Sequence, residues 1–170
     1  FSLEQKSQKY LYLLFKEIHQ KTNSKIIIGE NNYLFEYNYI TSYLGKDHVE
    51  PVILEKRIKK LKKLQDILTN KGIALIFLIS PSKATFYSEY IPEKLIFETD
   101  KENPKTNYKM ILPILEENDI NYFDGLNFLL EKKEKTDYLL FSKSGTHWTR
   151  YGSCLILEKL LEKTNNQLDS

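Results

Sequence analysis

Apolar residues recur at helical spacing in several segments of the chain. The clearest helix is predicted over residues 50–70, where apolar side chains return at steps of three and four and indicate one buried face: Leu54, Ile58, Leu61, Leu64 and Leu68. Residues 3–20 show a similar pattern, with Lys and Glu between the apolar positions. Asn70, Lys71 and Gly72 follow the longer helix, and a glycine just past the last turn is typical of a helix end.

Strand-like segments alternate with these helices. Residues 25–28 and 33–36 predict two short strands joined by a turn over residues 29–32. Residues 73–79 are a continuous apolar run between Gly72 and Pro81, which is typical of a strand buried on both faces. Two further short strands are predicted over residues 120–123 and 138–141.

The remaining segments complete an alternating pattern. Residues 84–105 suit a long loop or short helices, and a helix over residues 106–118 is interrupted or started at Pro113. Helices follow over residues 126–135 and 150–164, the latter capped by Thr149. This alternation predicts an α/β fold, a three-layer α/β/α sandwich around a mostly parallel sheet, in one domain over residues 1–170.

Composition excludes several classes of protein. With 41% apolar and 28% charged residues the chain is globular, and its net charge of +2 does not favour nucleic acid as a partner. Only Arg57 and Arg150 provide guanidinium groups, which are the side chains best suited to bidentate phosphate recognition. The single Cys154 excludes an internal disulfide, and no Cys and His spacing indicates a metal site.

The start of the chain has neither an initiator Met nor a signal peptide, which indicates trimming. A signal peptide or membrane anchor would fit in the removed segment. No apolar run approaches the length of about 20 residues that crosses a bilayer.

Six cations on the segment 50–70 allow two interpretations: Lys56, Arg57, Lys59, Lys60, Lys62 and Lys63. They could form a basic patch for a polyanion, or they could be the solvated face of an amphipathic helix. The charge pattern favours the solvated face.

Candidate chemistry lies at the carboxyl ends of the predicted strands, where ligands bind in open α/β sheets. Three segments are expected to converge there, namely residues 80–83, 124–125 and 142–148. The last places His147 in a polar loop, either as a general base or as a surface or capping histidine. His19 and His48 have no such setting.

Other residues of these segments also have alternative interpretations. Trp148, the only tryptophan, could bind sugar but more often such a residue fills the edge of a core. Lys83 could bind an anion, hold a loop in place or be a solvated loop lysine, and the last is favoured.

Three motifs resemble the AlgX/AlgJ-like acetyltransferases, extracytoplasmic SGNH-hydrolase-like proteins that acetylate exopolysaccharides. Residues 29–35 (GENNYLF) resemble the family's Gly-x-x-Gly-Trp-Leu-Phe, and residues 81–87 resemble its Pro-x-Lys turn, with Pro92 beyond. Residues 146–149 (THWT) with Gly152 resemble its Asp-x-His-Trp-Thr-x-x-Gly motif. The motifs follow the family's order across most of the chain.

The resemblance implies transfer of an acetyl group to a sugar hydroxyl through an acetyl-serine intermediate, with His147 as the base. It implies that Thr146, Trp148, Lys83 and Ser144 bind substrate, and that the partners are a polysaccharide and an acetyl donor, such as a membrane acetyl-transfer protein. It implies no metal and no cofactor, and a periplasmic or extracytoplasmic location.

The chain departs from the family pattern at two places. Gly145 stands where the motif has Asp, so the carboxylate that should orient His147 is missing. Ser144, a main-chain carbonyl or another carboxylate such as Asp124 could replace it. The family's nucleophilic serine turn also has no match before Ser170, which indicates either a fragment truncated before that turn or a degenerate member.

Two alternatives to an acetyltransferase therefore stay open. The first is an inactive module of the same fold that binds polysaccharide or a partner. The second is a carbohydrate acetylesterase, in which water accepts the acetyl group.

Overall fold

The computed structural model describes residues 26–96 and 104–168. The helix predicted over residues 3–20 lies outside the described residues. Along the described chain the elements are β1 (Ile26–Ile28), β2 (Leu34–Glu36), α1 (Tyr37–Tyr43), α2 (Pro51–Thr69), β3 (Phe77–Ile79), α3 (Lys83–Phe86), α4 (Glu93–Ile96), α5 (Asn107–Glu117), β4 (Tyr122–Asp124), α6 (Gly125–Lys132) and α7 (Arg150–Leu168).

Strands β1 and β2 form the predicted hairpin. They pair antiparallel with Ile27 opposite Phe35, and a short 3-10 turn over Glu30–Asn32 connects them. Asn31 and Asn32 adopt left-handed conformations with φ of 52° and 62°, which asparagine tolerates better than most residues. The side chain of Phe35 is fully buried, so the hairpin anchors one side of the core.

Helix α2 confirms the predicted amphipathic helix but buries a different set of side chains. Leu54 and Ile58 are buried as expected, whereas Leu64 is 48% exposed. Gln65 is buried instead, because its amide nitrogen donates to the Asp119 carbonyl and its amide oxygen accepts from the Asn121 N–H. These two bonds satisfy the polar groups that the turn before β4 would otherwise bury unpaired.

The charged face of α2 is solvated, as the charge pattern favoured. Lys59 and Lys62 lie 3.9 Å and 3.0 Å from Glu55 and Asp66, which are four residues away on the same helix. Such i,i+4 pairs are typical of an exposed helix surface. Gly72 ends the segment with φ of 70°, which confirms the predicted glycine stop.

Helix α5 runs through Pro113, so the prediction that the proline interrupts or starts this helix was wrong. The helix begins after Thr106, whose hydroxyl accepts a hydrogen bond from the N–H of Lys109. The proline removes one hydrogen bond and lies on the exposed side, while Leu115 on the opposite side is fully buried. Packing against α2 holds the helix together across the proline.

Strands β3 and β4 pair parallel, with Phe77 opposite Tyr122 and Ile79 opposite Asp124. The expectation of a strand buried on both faces over residues 73–79 was wrong in two respects. The strand covers only Phe77–Ile79, all half-buried, and Ile73 is 49% exposed just after the Gly72 turn. In the described residues β4 is the one strand that pairs with β3.

The strand predicted over residues 138–141 does not form. Phe141 makes one isolated antiparallel bridge to Trp148, and Tyr138 is 69% exposed. The apolar run is instead an irregular segment whose last two residues, Leu140 and Phe141, enter the core. The helix after it is confirmed, because Thr149 caps α7 by accepting from the Gly152 N–H.

Two clusters of buried side chains form the core. The larger joins the hairpin, α1, α3, α6 and α7: Phe35, Ile40, Leu44, Ala84, Phe86, Tyr87, Ile91, Leu129, Leu140, Phe141 and Ile156. The smaller joins α2, α5 and the turn before β4: Leu54, Ile58, Ile114, Leu115 and Ile120. Helices and strands alternate as predicted as far as α6, but the strand expected between α6 and α7 does not form, and the mostly parallel sheet of a three-layer sandwich stays a prediction beyond the β3–β4 pair. Within the described ranges, none of the helices has the length and apolar character needed to cross a bilayer.

Candidate functional site

The loop over residues 142–148 is closed at both ends by main-chain contacts. Phe141 pairs with Trp148, and the N–H of Thr149 donates to the carbonyl of Leu140 at 2.9 Å. Trp148 is half-buried and packs against the larger core cluster, which agrees with the interpretation of this residue as the edge of a core. His147, immediately before it, is therefore held at a fixed point of the surface.

Lys83 fixes the loop from inside. Its side chain is 0% exposed, and its ammonium donates to three main-chain carbonyl oxygens, those of Ser142 at 2.7 Å, Lys143 at 3.1 Å and Gly145 at 2.6 Å. The expectation of a solvated loop lysine was wrong. The three donors of the ammonium are all used within the protein, so the geometry supports the loop-holding role and leaves none for a substrate.

The surroundings of Lys83 explain how a buried ammonium is tolerated. Burial lowers its pKa from 10.5 to about 8, because removal from water disfavours the charged form. The three carbonyl oxygens and the faces of the Tyr33 and Phe35 rings, with centroids 5.4 Å and 5.3 Å away, favour the charge. The ammonium form therefore predominates at pH 7.

His147 presents an accessible imidazole between two polar partners. Its side chain is 72% exposed, its Nε2 lies 4.0 Å from Oε1 of Glu36, and its Nδ1 lies 3.5 Å from the hydroxyl of Tyr39. Thr149, not His147, caps α7, so the capping interpretation does not apply. An exposed imidazole beside a carboxylate can accept and return a proton.

Glu36 is the functional side chain that the sequence reasoning missed. It ends β2, and its Oε1 accepts a hydrogen bond of 2.9 Å from the hydroxyl of Thr146. The N–H of Leu34 donates to the Lys143 carbonyl at 3.0 Å, so β2 and the loop are joined along their backbones. The available signal was an acid immediately after residues 29–35, the first motif of the family resemblance.

The Ser142 hydroxyl lies where a side chain at position 145 would begin. The N–H of Gly145 donates to Oγ of Ser142 at 2.9 Å, and a Cβ atom at position 145 would lie 2.4 Å from that oxygen. Ser144 is exposed and is not the serine that meets Gly145. The loop is thus built around glycine at this position.

Asp124, the other carboxylate considered for His147, has different partners. Its Oδ2 accepts from the Tyr108 hydroxyl at 2.7 Å and its Oδ1 accepts from the Asn127 N–H at 2.9 Å, capping α6. Burial and the hydrogen bond to Asp124 raise the pKa of Tyr108 well above its usual value. The structure places Glu36, not Asp124, beside His147.

A cleft of about 360 Å³ opens at the carboxyl end of β3. Hydroxyl groups are frequent in its lining, and they belong to Ser42, Tyr43, Ser80, Ser82, Thr85, Thr106 and Tyr108. Tyr39, beside His147, and Tyr43 lie one turn apart on α1, about 6 Å along the helix axis. The cleft and the histidine therefore flank the same short helix.

Metal-dependent chemistry has no evident site in the part of the chain that the structure describes. Across residues 26–96 and 104–168, the His, Cys, Asp and Glu side chains form no cluster that could hold a metal ion.

The sequence of the chain matches a known protein family. The family described as "SGNH hydrolase-like domain, acetyltransferase AlgX" matches residues 26–167, which include the hairpin, Lys83 and the His147 loop. The chain belongs to this AlgX family. No curated protein shows significant sequence similarity to the chain.

Solved structures of AlgX-like proteins share the fold at low identity. The O-acetyltransferase domain of Pseudomonas putida AlgJ superimposes with a TM-score of 0.59 at 20% identity, over 85% of this chain and 48% of that one. Pseudomonas aeruginosa AlgX gives 0.58 at 21% identity, over 84% and 32%. Bacillus cereus PatB1 gives 0.53 at 16%, over 85% and 43%. The chain thus spans less than half the length of each.

Proposed function

We propose that the chain is part of an enzyme that transfers an acetyl group to a hydroxyl of an exported polysaccharide, with His147 as the base. The observation that carries this proposal is the accessible His147 imidazole, set between Glu36 and Tyr39 on a loop held rigid by the buried Lys83. Membership in the AlgX acetyltransferase family supports the reaction class.

The reaction would proceed in two balanced steps. His147 takes the proton of a serine hydroxyl while the serine oxygen attacks the acetyl carbonyl of the donor, and the imidazolium returns the proton to the departing donor group. In the second step His147 takes the proton of a sugar hydroxyl, whose oxygen attacks the acetyl-serine, and the serine oxygen regains a proton. The nucleophilic serine would lie in the portion of an AlgJ-like protein that the chain does not span.

Residues beside His147 would contact the polymer. The half-buried Trp148 would stack its ring on a sugar, and Thr146, whose hydroxyl donates to Glu36, would lie beside it. Ser144 is exposed on the same loop and could bind substrate, whereas Lys83 is too deeply buried to do so. The donor would be an extracytoplasmic acetyl carrier, such as a membrane acetyl-transfer protein.

A binding module without activity is the second candidate. The hydroxyl of Ser142 lies where the Cβ of an acid at position 145 would be, and this observation favours an altered catalytic apparatus. In that case the same rim would hold polymer or a partner without transfer. An acetylesterase would use the same residues with water as the acceptor.

Acetyl release from p-nitrophenyl acetate by the full-length protein, followed by intact mass spectrometry during turnover, tests the proposal. An enzyme is expected to show an acetyl adduct of 42 Da that maps to a serine and is absent in His147→Ala. His48→Ala is the matched control, because His48 is also exposed and its Nδ1 lies 3.0 Å from the Gly45 carbonyl oxygen, within its own turn. No release and no adduct in the full-length protein would contradict the acetyltransferase and leave the binding module.

A further inference from the structure

Glu36 is positioned by contacts that do not involve its own carboxylate. The residue ends β2, where Phe35 is fully buried and the N–H of Leu34 donates to the Lys143 carbonyl. It also precedes α1, yet its side chain makes no capping hydrogen bond to that helix. The carboxylate is therefore available to the loop over residues 142–148, and only 30% of the side chain is exposed.

The loop directs two groups at the same carboxylate oxygen. The Thr146 hydroxyl donates to Oε1 at 2.9 Å, and Nε2 of His147 lies 4.0 Å from that atom. The hydrogen bond from Thr146 fixes the direction in which Oε1 points. Catalytic hydrogen bonds are often long in unliganded enzymes and tighten when substrate binds, so a separation of 4.0 Å suits a carboxylate poised for this role.

No other acid competes for the position in the described residues. Glycine occupies position 145, a side chain there would meet the Ser142 hydroxyl, and Asp124 is bound to Tyr108 and Asn127. The titratable groups that the structure places against the His147 ring are Glu36 from β2 and Tyr39 from α1.

We propose that Glu36 is the carboxylate that orients His147 in this chain, in place of an acid at position 145. As a positioning residue it accepts from Nε2–H, which leaves the Nδ1 lone pair, beside the Tyr39 hydroxyl, to act as the base. When the ring takes a proton, the adjacent carboxylate stabilises the imidazolium. The role of His147 as a base rests on the proposed function, whereas the pairing of Glu36 with His147 does not.

The pairing can be measured without any catalysis. A double-mutant cycle with Glu36→Gln and His147→Gln, followed by urea unfolding, gives the coupling between the two side chains. The expected coupling is about two- to five-fold in the unfolding equilibrium constant. A cycle of Glu36→Gln with His48→Gln is the control and should show no coupling.

Coupling no larger than that of the control cycle would overturn the proposal, because Glu36 would then act only as the acceptor for Thr146. A cycle of Glu36→Gln with Thr146→Val measures the contribution of that hydrogen bond separately.

Turnover of p-nitrophenyl acetate by the full-length protein provides a second test. Glu36→Gln is expected to lower kcat about ten- to a hundred-fold with KM changed less than two-fold, and Glu36→Asp to recover part of the loss. Adding Ser142→Ala and Gly145→Asp to Glu36→Gln should recover more, because an acid returns to position 145. Unchanged kcat in Glu36→Gln would refute the role. If the full-length wild type shows no turnover, the proposed function fails while the unfolding cycle still decides the pairing.

Discussion

The ammonium of Lys83 lies 2.6 Å from the carbonyl oxygen of Gly145, the residue that stands where the family motif has an acid. The loop that holds His147 is therefore shaped by an interior cation through the main chain of position 145. Glu36 reaches the same loop from the hairpin. The interior support of the loop thus comes from α3, and the carboxylate at its surface comes from β2.

Replacing Lys83 should lower the free energy of unfolding more than replacing an exposed residue of the same loop. Lys83→Met removes the ammonium from three carbonyl oxygens, of which that of Lys143 keeps the Leu34 N–H as a donor. We expect a loss of about 2–4 kcal/mol in the free energy of unfolding. Lys143→Met, at an exposed position of the same loop, is the control and should change stability by about 0.5 kcal/mol or less. Urea denaturation measures both, and equal losses would contradict the anchoring role.

The contribution of Lys83 should depend on pH in a defined direction. Its folded-state pKa is about 8 and its ordinary value is 10.5, so between these values the unfolded chain binds more protons than the folded one. Stability from this group therefore rises with pH across that window, by at most about 1.4 kcal/mol per pH unit. The stability difference between wild type and Lys83→Met should grow from pH 7.5 to pH 9.5.

The titration of Tyr87 changes stability in the opposite direction to that of Lys83. Burial raises the pKa of Tyr87 to about 12, so the folded state keeps its proton longer and stability from this group falls as pH rises above about 10. Both proteins contain Tyr87, so the difference between them isolates the lysine. A constant difference from pH 7.5 to pH 9.5 would rule out a depressed pKa for Lys83.

Restoring the motif acid should require a second change. In Gly145→Asp the new Cβ would lie 2.4 Å from Oγ of Ser142. The Ser142 hydroxyl would have to move away, and the hydrogen bond that it accepts from the N–H of residue 145 would break. We expect the single variant to lose about 1 kcal/mol and Ser142→Ala/Gly145→Asp to recover most of it. Thermal unfolding tests this, and turnover in the full-length protein should be higher in the double variant. Identical single and double variants would contradict the steric argument.

Two hydroxyl residues that precede helices should respond differently to alanine. Thr106 accepts from the Lys109 N–H and caps α5, so Thr106→Ala should cost about 1–2 kcal/mol. Ser82 precedes α3 without a capping bond, and we expect Ser82→Ala to change stability by less than about 0.5 kcal/mol. Urea denaturation of the two variants tests this expectation. A larger loss of stability in Ser82→Ala would show that the Ser82 hydroxyl has a structural role.

Local patterns predicted the local parts of this fold. The hairpin with its Asn-rich turn, the Gly72 stop and the Thr149 cap all depend on residues close in sequence, and all three formed. The failures came where packing outweighed local preference. Helix α5 continues through Pro113 because α2 packs against it, and of residues 138–141 only Leu140 and Phe141 enter the core, without pairing as a strand.

The arrangement of the site depends on contacts between residues far apart in the sequence, which a local sequence pattern does not predict. Lys83 and Gly145 are 62 residues apart in sequence, and Glu36 and Thr146 are 110 apart. The His147 loop was found because its own residues form a motif. Its acid was missed because Glu36 belongs to the hairpin, and only the folded backbone brings the hairpin to the loop.

The anchoring of the loop by Lys83 also bears on how its surface can diverge. The lysine binds carbonyl oxygens, which every amino acid has, so the loop keeps its path when exposed side chains such as those of Lys143 and Ser144 are exchanged. The path of the loop is therefore independent of the side chains that it exposes to solvent. Substitution of these exposed side chains can thus change what the loop presents to solvent, without any accompanying change in the core.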